Sequence, residues 1–372
     1  MDSNFKIEFV GEVFAEELVI GVSAFEGAKN LGDLTLPAHT TIISDNAFAN
    51  AKFGTLTLNE GIVSLGNYAF YNVNSTKKLE IPTSVKTIGE YCFAFDNRGA
   101  NVKLPASDSQ LESIGKYAFY KNSKITDIVI PAGVVIIDDY AFYGAKNLDE
   151  VTFAEGSSLK TIGAHAFDIS GGKLETITIP KSVTSIGAYA FANSELETVY
   201  FEEGGTEDLV LGTVHSYSYL GYGDIMMQRV EHGYVFSNCE YLETVVLPDR
   251  LTEIGPYCFY YASFYGGGLK VSFGEDSRLT TIGDYAFASC KLKSIVIPNT
   301  VRNLDPVVMS DLDYSYDRLG IGHNAFADNY NSLNSVVFEQ GGTEPLTIGR
   351  NAFYNADQLL SIELPARHWR SV

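Results

Sequence analysis

The chain has 372 residues, a formal charge of −20, 45% hydrophobic residues and ordinary numbers of Gly (34) and Pro (11). That balance describes a folded chain and excludes a disordered one. The negative charge repels phosphate backbones and anionic lipid, which makes nucleic acid and membrane surfaces poor partners, and no apolar run approaches the ~20 residues that cross a bilayer.

The opening residues, MDSNFKIEFVGEVF, carry neither a basic flank nor an apolar signal core. They fit a cytoplasmic protein or a chain that begins after a removed signal. Beyond them one phrase keeps returning: TIGEYCF at 87–93, SIGKYAF at 113–119, SIGAYAF at 185–191 and TIGDYAF at 281–287. A chemical site is built once, so the repetition points to architecture. Aligned on its phenylalanine, the phrase recurs at Phe25, Phe48, Phe70, Phe93, Phe119, Phe142, Phe167, Phe191, Phe236, Phe259, Phe287, Phe326 and Phe353. Most steps are 22–28 residues. This period predicts a solenoid of about thirteen units, each burying an apolar face against its neighbours.

Each column has a physical reading. Five before the Phe, twelve of thirteen units carry an aliphatic residue, such as Ile88, Ile114, Ile186 and Ile282; Glu231 is the exception. Gly follows in ten units, as at Gly66, Gly89, Gly163 and Gly255, where a tight turn or positive φ is expected. Only Ala, Cys or Val precedes the Phe, so space there is scarce. Two after it, Gly27, Asn50, Asn72, Gly144, Asn193, Asn238 and Asn355 predict a left-handed cap ending a short helical turn. Between phrases lie alternating stretches closed by Pro, including LTLP (34–37), IVIP (128–131) and ITIP (177–180). They predict one half-buried strand per unit, stacked into a long parallel sheet.

The full pattern, as in LETITIPKSVTSIGAYAF (174–191), resembles the BspA-type leucine-rich repeat. The resemblance covers the chain as one solenoid domain, 1–372, apart from insertions near 204–232 and 305–320 and the last few residues. It implies a curved right-handed coil with a parallel sheet on one face and short strands, turns and helical turns on the other. It also implies a secreted or surface protein of a host-associated microbe that offers adhesion surfaces to host matrix proteins or other cells. It supplies no universal binding residues, so none are transferred.

Catalysis finds no support in the residues. The six His are scattered, and His165 sits in the column two before the Phe, where other units place Tyr or Asn. No nucleophile elbow, phosphate-binding loop, zinc-protease motif or dinucleotide glycine motif occurs. FEEGGTE (201–207), FEQGGTE (338–344) and FYGGGL (264–269) read as tight turns. Cys92 and Cys258 lie in the small-residue column, and Cys239 and Cys290 three after the Phe; all four are expected as buried free thiols. No cofactor and no metal is expected.

Tyrosine is the abundant surface chemistry. Eight tyrosines stand two before the Phe and five directly after it, a spacing that predicts an aromatic ladder along the flank. The insertions break the repeat and so are where function is expected. The first holds Tyr217, Tyr219 and Tyr222 among Ser and Gly, and the second holds Tyr314 and Tyr316, a composition like that of adaptable binding loops. The alternative is that both loops cover a solenoid edge. On the sheet, the outward row from Tyr200 onward, Tyr200, Val246, Ser272, Val296, Val337 and Glu363, is flatter and more apolar than the row before it. These features predict a non-catalytic, secreted or cell-surface interaction module, monomeric, whose partner is a protein, a host matrix protein included, or a glycan. The alternative is an intracellular scaffold of the same fold.

Overall fold

The computed structural model describes residues 17–29, 31–75, 77–95, 102–213, 215–220, 226–309, 314–318, 320–367 and 369–371, with backbone alone at 75, within 215–220, 226–231, 304–309 and 314–318, and at 369–370. The chain divides into two compact units, Met1–Leu174 and Glu175–Val372, and each is a parallel β-solenoid.

In unit one, each phrase opens with a short strand that ends on the aliphatic residue, and successive strands pair in parallel from Leu18–Ile20 through Thr40–Ile43 to Thr161–Ile162. The register stacks Ile43, Leu65, Ile88, Ile114, Ile137 and Ile162 on one another, and all are at most 1% exposed. Glycine after the aliphatic residue is needed for proximity, not for φ. A β-carbon on Gly89 would stand 2.6 Å from the Gly66 carbonyl carbon, and one on Gly163 2.5 Å from the Asp139 nitrogen.

The phenylalanines form the spine. In unit one the rings from Phe25 to Phe167 stack face to face at 5.0–5.5 Å between centroids. In unit two those from Phe191 to Phe353 do the same at 5.0–5.5 Å. The spacing follows the ~4.8 Å separation of neighbouring strands, so each ring rides on its own rung. The residue before each Phe from Ala47 to Ala352 is buried, as its small side chain predicts.

The helical turn expected around the Phe does not form; among the described residues there is no helix. Amides there alternate between two kinds of partner. Tyr68, Phe70 and Asn72 donate to carbonyls of the next rung, Glu90, Cys92 and Ala94, while Ala69 and Tyr71 close tight turns onto Gly66 and Tyr68. A helix would bind all of them locally; here half are spent on the neighbouring rung, and that prevents it. The left-handed residues two after the Phe are present, with φ of 57° at Asn50, 50° at Asn72 and 55° at Asn355.

The alternating strands between the phrases pair in register as expected but do not make one long sheet. In unit one they form two-stranded pairs, such as Asp127–Ile130 with Glu150–Phe153. In unit two they form a four-stranded sheet, Thr176–Ile179, Thr198–Phe201, Thr244–Leu247 and Lys270–Phe273, and a three-stranded one, Ser294–Ile297, Ser335–Phe338 and Ser361–Glu363. Segments between the Phe and the next strand vary in length, so this ladder loses pairing where the phrase ladder keeps it.

The two insertions are antiparallel hairpins, His215–Leu220 with Met226–Glu231 and Leu304–Met309 with Tyr314–Arg318. The first splits its phrase. Leu211, not Glu231, fills the aliphatic column, pairing with Ile186 on one side and Ile254 on the other. Gly212 and Gly233 meet at the hairpin base, where a β-carbon on Gly212 would lie 2.4 Å from the Gly233 Cα. The second hairpin enters before its phrase, and Ile321 bridges Ile282 and Ile348 in the ladder. Asn303 anchors its base by accepting from the Gly320 and Thr347 amides, at 3.1 and 2.8 Å.

Candidate interaction surface

The aromatic ladder is real, and between the ends of each run its ring faces are occupied. In unit one Tyr68, Tyr91, Tyr117, Tyr140 and His165 stack at 4.5–4.9 Å. In unit two Tyr189, Tyr234, Tyr257 and Tyr285 stack at 4.5–4.7 Å. A ring covered on both faces has none left for a sugar, so the ladder is architecture. His165 fills its rung and its Nδ1 lies 2.8 Å from Asp168 Oδ2. Burial first, then neighbouring phenols, pushes Tyr234 and Tyr257 up to about 12 and raises Tyr91 too.

Every residue of this column adopts a left-handed backbone, with φ between 51° and 57° from Ser23 to Asn351. Positive φ is uncommon for a bulky residue and costs about 1–2 kcal/mol. Ring stacking on two neighbours, at about 0.5–1.5 kcal/mol each, offsets that cost. The thiols follow the same economy of space. All four cysteines are free and buried, and burial pushes the Cys290 thiol up to about 12.

Of the tyrosines singled out for binding, Tyr200 is fully described. It stands on Thr198–Phe201 and is 46% exposed. The pairing of Val199 with Val245 sets it beside Val246, which is 43% exposed and opposite Ser272. Val296, 50% exposed, continues the apolar character on the three-stranded sheet. In the first hairpin the register sets Tyr217 opposite Arg229 and Tyr219 opposite Met227. In the second it sets Tyr314 opposite Met309 and Tyr316 opposite Val307. Their side chains, and the whole of Tyr222, lie outside the described residues.

Sequence reasoning missed two features. One is an exposed aromatic group, Tyr241, Phe264 and Tyr265, at 41%, 40% and 64% exposure. Tyr265 lies 6.0 Å from Tyr241 and 5.1 Å from Phe264, and Lys291 Nζ lies 5.3 Å over the Phe264 ring. The signal was the aromatic run YYASFY after Phe259, which exceeds what the repeat needs. The other is a cleft of about 520 Å³ where the strands of the four-stranded sheet end, edged by Glu202, Glu203, Asp249, Glu275 and Asp276. Its lining includes Arg250, 2% exposed, which donates to the carbonyls of Val183 and Pro180. Its Nε meets no acceptor, and desolvation lowers its pKa from the ordinary guanidinium value. Among the described residues no three His, Cys, Asp or Glu side chains group closely enough to hold a metal ion.

A family model described as the BspA type leucine rich repeat region, six copies, matches residues 18–120, 112–208, 232–314 and 319–370. No curated protein matches the chain. Among solved structures the chain is similar to a leucine-rich repeat protein from Bacteroides ovatus, at 19% identity over 97% of this chain and 91% of that one, with a TM-score of 0.54. It is also similar to the pneumococcal vaccine antigen PcpA, at 20% identity over 89% and 77% with a TM-score of 0.43. A leucine-rich cell surface protein from Faecalibacterium prausnitzii matches at 22% identity over 91% and 89%, with a TM-score of 0.41. At 19% identity the likeness to the Bacteroides ovatus protein speaks for the fold alone. With the phrase ladder, the phenylalanine spine and the matched repeats agreeing from residue 18 to residue 370, the chain belongs to the BspA-type leucine-rich repeat family.

Proposed function

We propose that the protein is a non-catalytic interaction module that works outside the cell and holds a protein partner, a host matrix protein or a glycan-bearing one, on unit two. One observation carries this reading: Tyr200 and Val246 are large apolar groups exposed on neighbouring strands of a sheet whose alternate side chains, Val199, Phe201, Val245 and Leu247, are buried in the core. Large exposed apolar groups next to each other mark interaction surfaces. The two hairpins support it, since both leave the repeat in unit two and both carry tyrosines. The family supports the location, because the resemblance implies surface proteins.

The test is a binding array of matrix proteins and glycans, probed with wild type, with Tyr200→Ser and with each hairpin replaced by a Gly-Gly link. Binding that survives in wild type and falls at least about tenfold in one or more variants, with circular dichroism unchanged, is the expected result. Absence of any bound partner, or binding indifferent to all three changes, overturns it.

A further inference from the structure

We infer that the partner of unit two is basic: the face around Tyr200 and Val246 is built to take an extended polypeptide segment in which Lys or Arg alternates with apolar residues. This rests on the interaction-module reading and names the chemistry of the partner.

Three aligned segments, 197–204, 243–250 and 269–276, lie side by side in the four-stranded sheet. Together they carry seven carboxylates: Glu197 and Glu243 where strands begin, and the five cleft residues where strands end. Their cations are Lys270 and Arg250, and Arg250 is buried with its two Nη groups donating to main-chain carbonyls. Arg278, two residues past the last segment, is held by Asp208 at 2.8 Å. The face is therefore an apolar row, Tyr200 and Val246, running between two acidic edges.

This arrangement selects its ligand. The carboxylates are spread over three rungs, each ~4.8 Å from the next, and the described residues gather no three of them for one metal ion. A chain carrying several cations fits that spread. Lys and Arg stems lie along apolar surface while the charged head reaches outward, so a stem over Tyr200 or Val246 brings an ammonium or guanidinium to the acidic edge. Arg over the Tyr200 ring adds a cation–π contact. With −20 on the whole chain, a basic segment is also drawn in from a distance.

The probe is a fluorescent peptide of about nine residues alternating Lys and Leu, with a Glu/Leu peptide as its counterpart, measured by anisotropy at about 20 and about 300 mM NaCl. One variant neutralises the cleft: E202Q, E203Q, D249N, E275Q and D276N. A second makes the same charge change on exposed carboxylates of unit one: E26Q, E80Q, E112Q, E150Q and E155Q. A third carries Y200S and V246S. Wild type binds the Lys peptide and not the Glu peptide, and more weakly at high salt. The cleft variant loses about tenfold or more and the third about threefold or more, while the unit-one variant changes less than about threefold. Equal losses from the two neutralised sets mean general attraction to an acidic protein and overturn the inference, as does absence of Lys-peptide binding. If array partners stay bound to the cleft variant but are lost on hairpin removal, the interaction module stands and this assignment falls.

Discussion

Gly205 lies against Arg250: a β-carbon on the glycine would stand 2.6 Å from the arginine Cδ and 2.5 Å from the Lys181 carbonyl oxygen. Arg250 thus passes beneath the Gly-Gly turn and reaches the carbonyls of the rung before it. The arrangement occurs twice. A β-carbon on Gly342 would stand 2.5 Å from Arg367 Nη1, which donates to the Asn299 carbonyl at 2.9 Å. In each case FExGGTE is followed one rung later by LPxR. Gly205→Ala and Gly342→Ala are each expected to destabilise the protein by about 1–3 kcal/mol through overpacking. A chemical denaturation midpoint that does not move would refute the staple.

The phenylalanine spine predicts a gradient. Phe142 is fully buried between Phe119 and Phe167, at 5.0 Å from each, so Phe142→Ala is expected to cost about 3–5 kcal/mol. Phe353 stacks on Phe326 at 5.4 Å and is half-buried, so Phe353→Ala is expected to cost roughly half as much. Urea titrations of the two variants check the order.

Tyr117 sits at φ 56°, stacked at 4.5 Å on Tyr91 and 4.8 Å on Tyr140. Tyr117→Asn relieves the backbone but gives up both stacks, a net loss of about 1–2 kcal/mol. Tyr117→Val gives up the stacks and puts a β-branched residue in the left-handed region, so its loss is larger, about 3 kcal/mol. The expected stability order in thermal melts is Tyr, then Asn, then Val.

Alkali tests the ladder as a whole. Tyr234 and Tyr257 are pushed up to about 12 by burial, whereas an unfolded phenol titrates near about 10. The folded state therefore keeps its phenolic protons over a window in which the unfolded state has lost them. Their contribution to stability is fully present below about pH 10 and disappears as pH rises through about 12. Tyrosinate absorbance should show a late fraction that appears together with loss of the β-sheet circular dichroism signal. Full titration by about pH 10.5 with the fold intact would refute the stacked, buried ladder.

The repeat was legible because it is written in side chains that only one backbone tolerates. Phe needs the core, Ala before it marks the narrow place, and the aliphatic–Gly pair marks the ladder. Reading by fixed offset failed at Glu231, since a hairpin inside the phrase moves the aliphatic residue back to Leu211. The left-handed tyrosines were illegible for a physical reason: tyrosine argues against positive φ, and only its stacked neighbours reverse the preference. Tyr200 could be read from the outward row of the strands. The acidic cleft could not, because Glu202, Asp249 and Glu275 are separated in sequence and meet only through stacking of rungs interrupted by an insertion. The paired Gly-Gly and LPxR motifs were visible as words, but their contact needed coordinates.

The two hairpins open on opposite sides of the aliphatic–Gly pair, one after Gly212 and one before Ile321, and Leu211 and Ile321 keep their ladder partners. The repeat accordingly has two splice points per rung at which foreign sequence enters and returns without disturbing its neighbours. A lineage, or an engineer, can vary what such a scaffold displays while leaving the scaffold untouched.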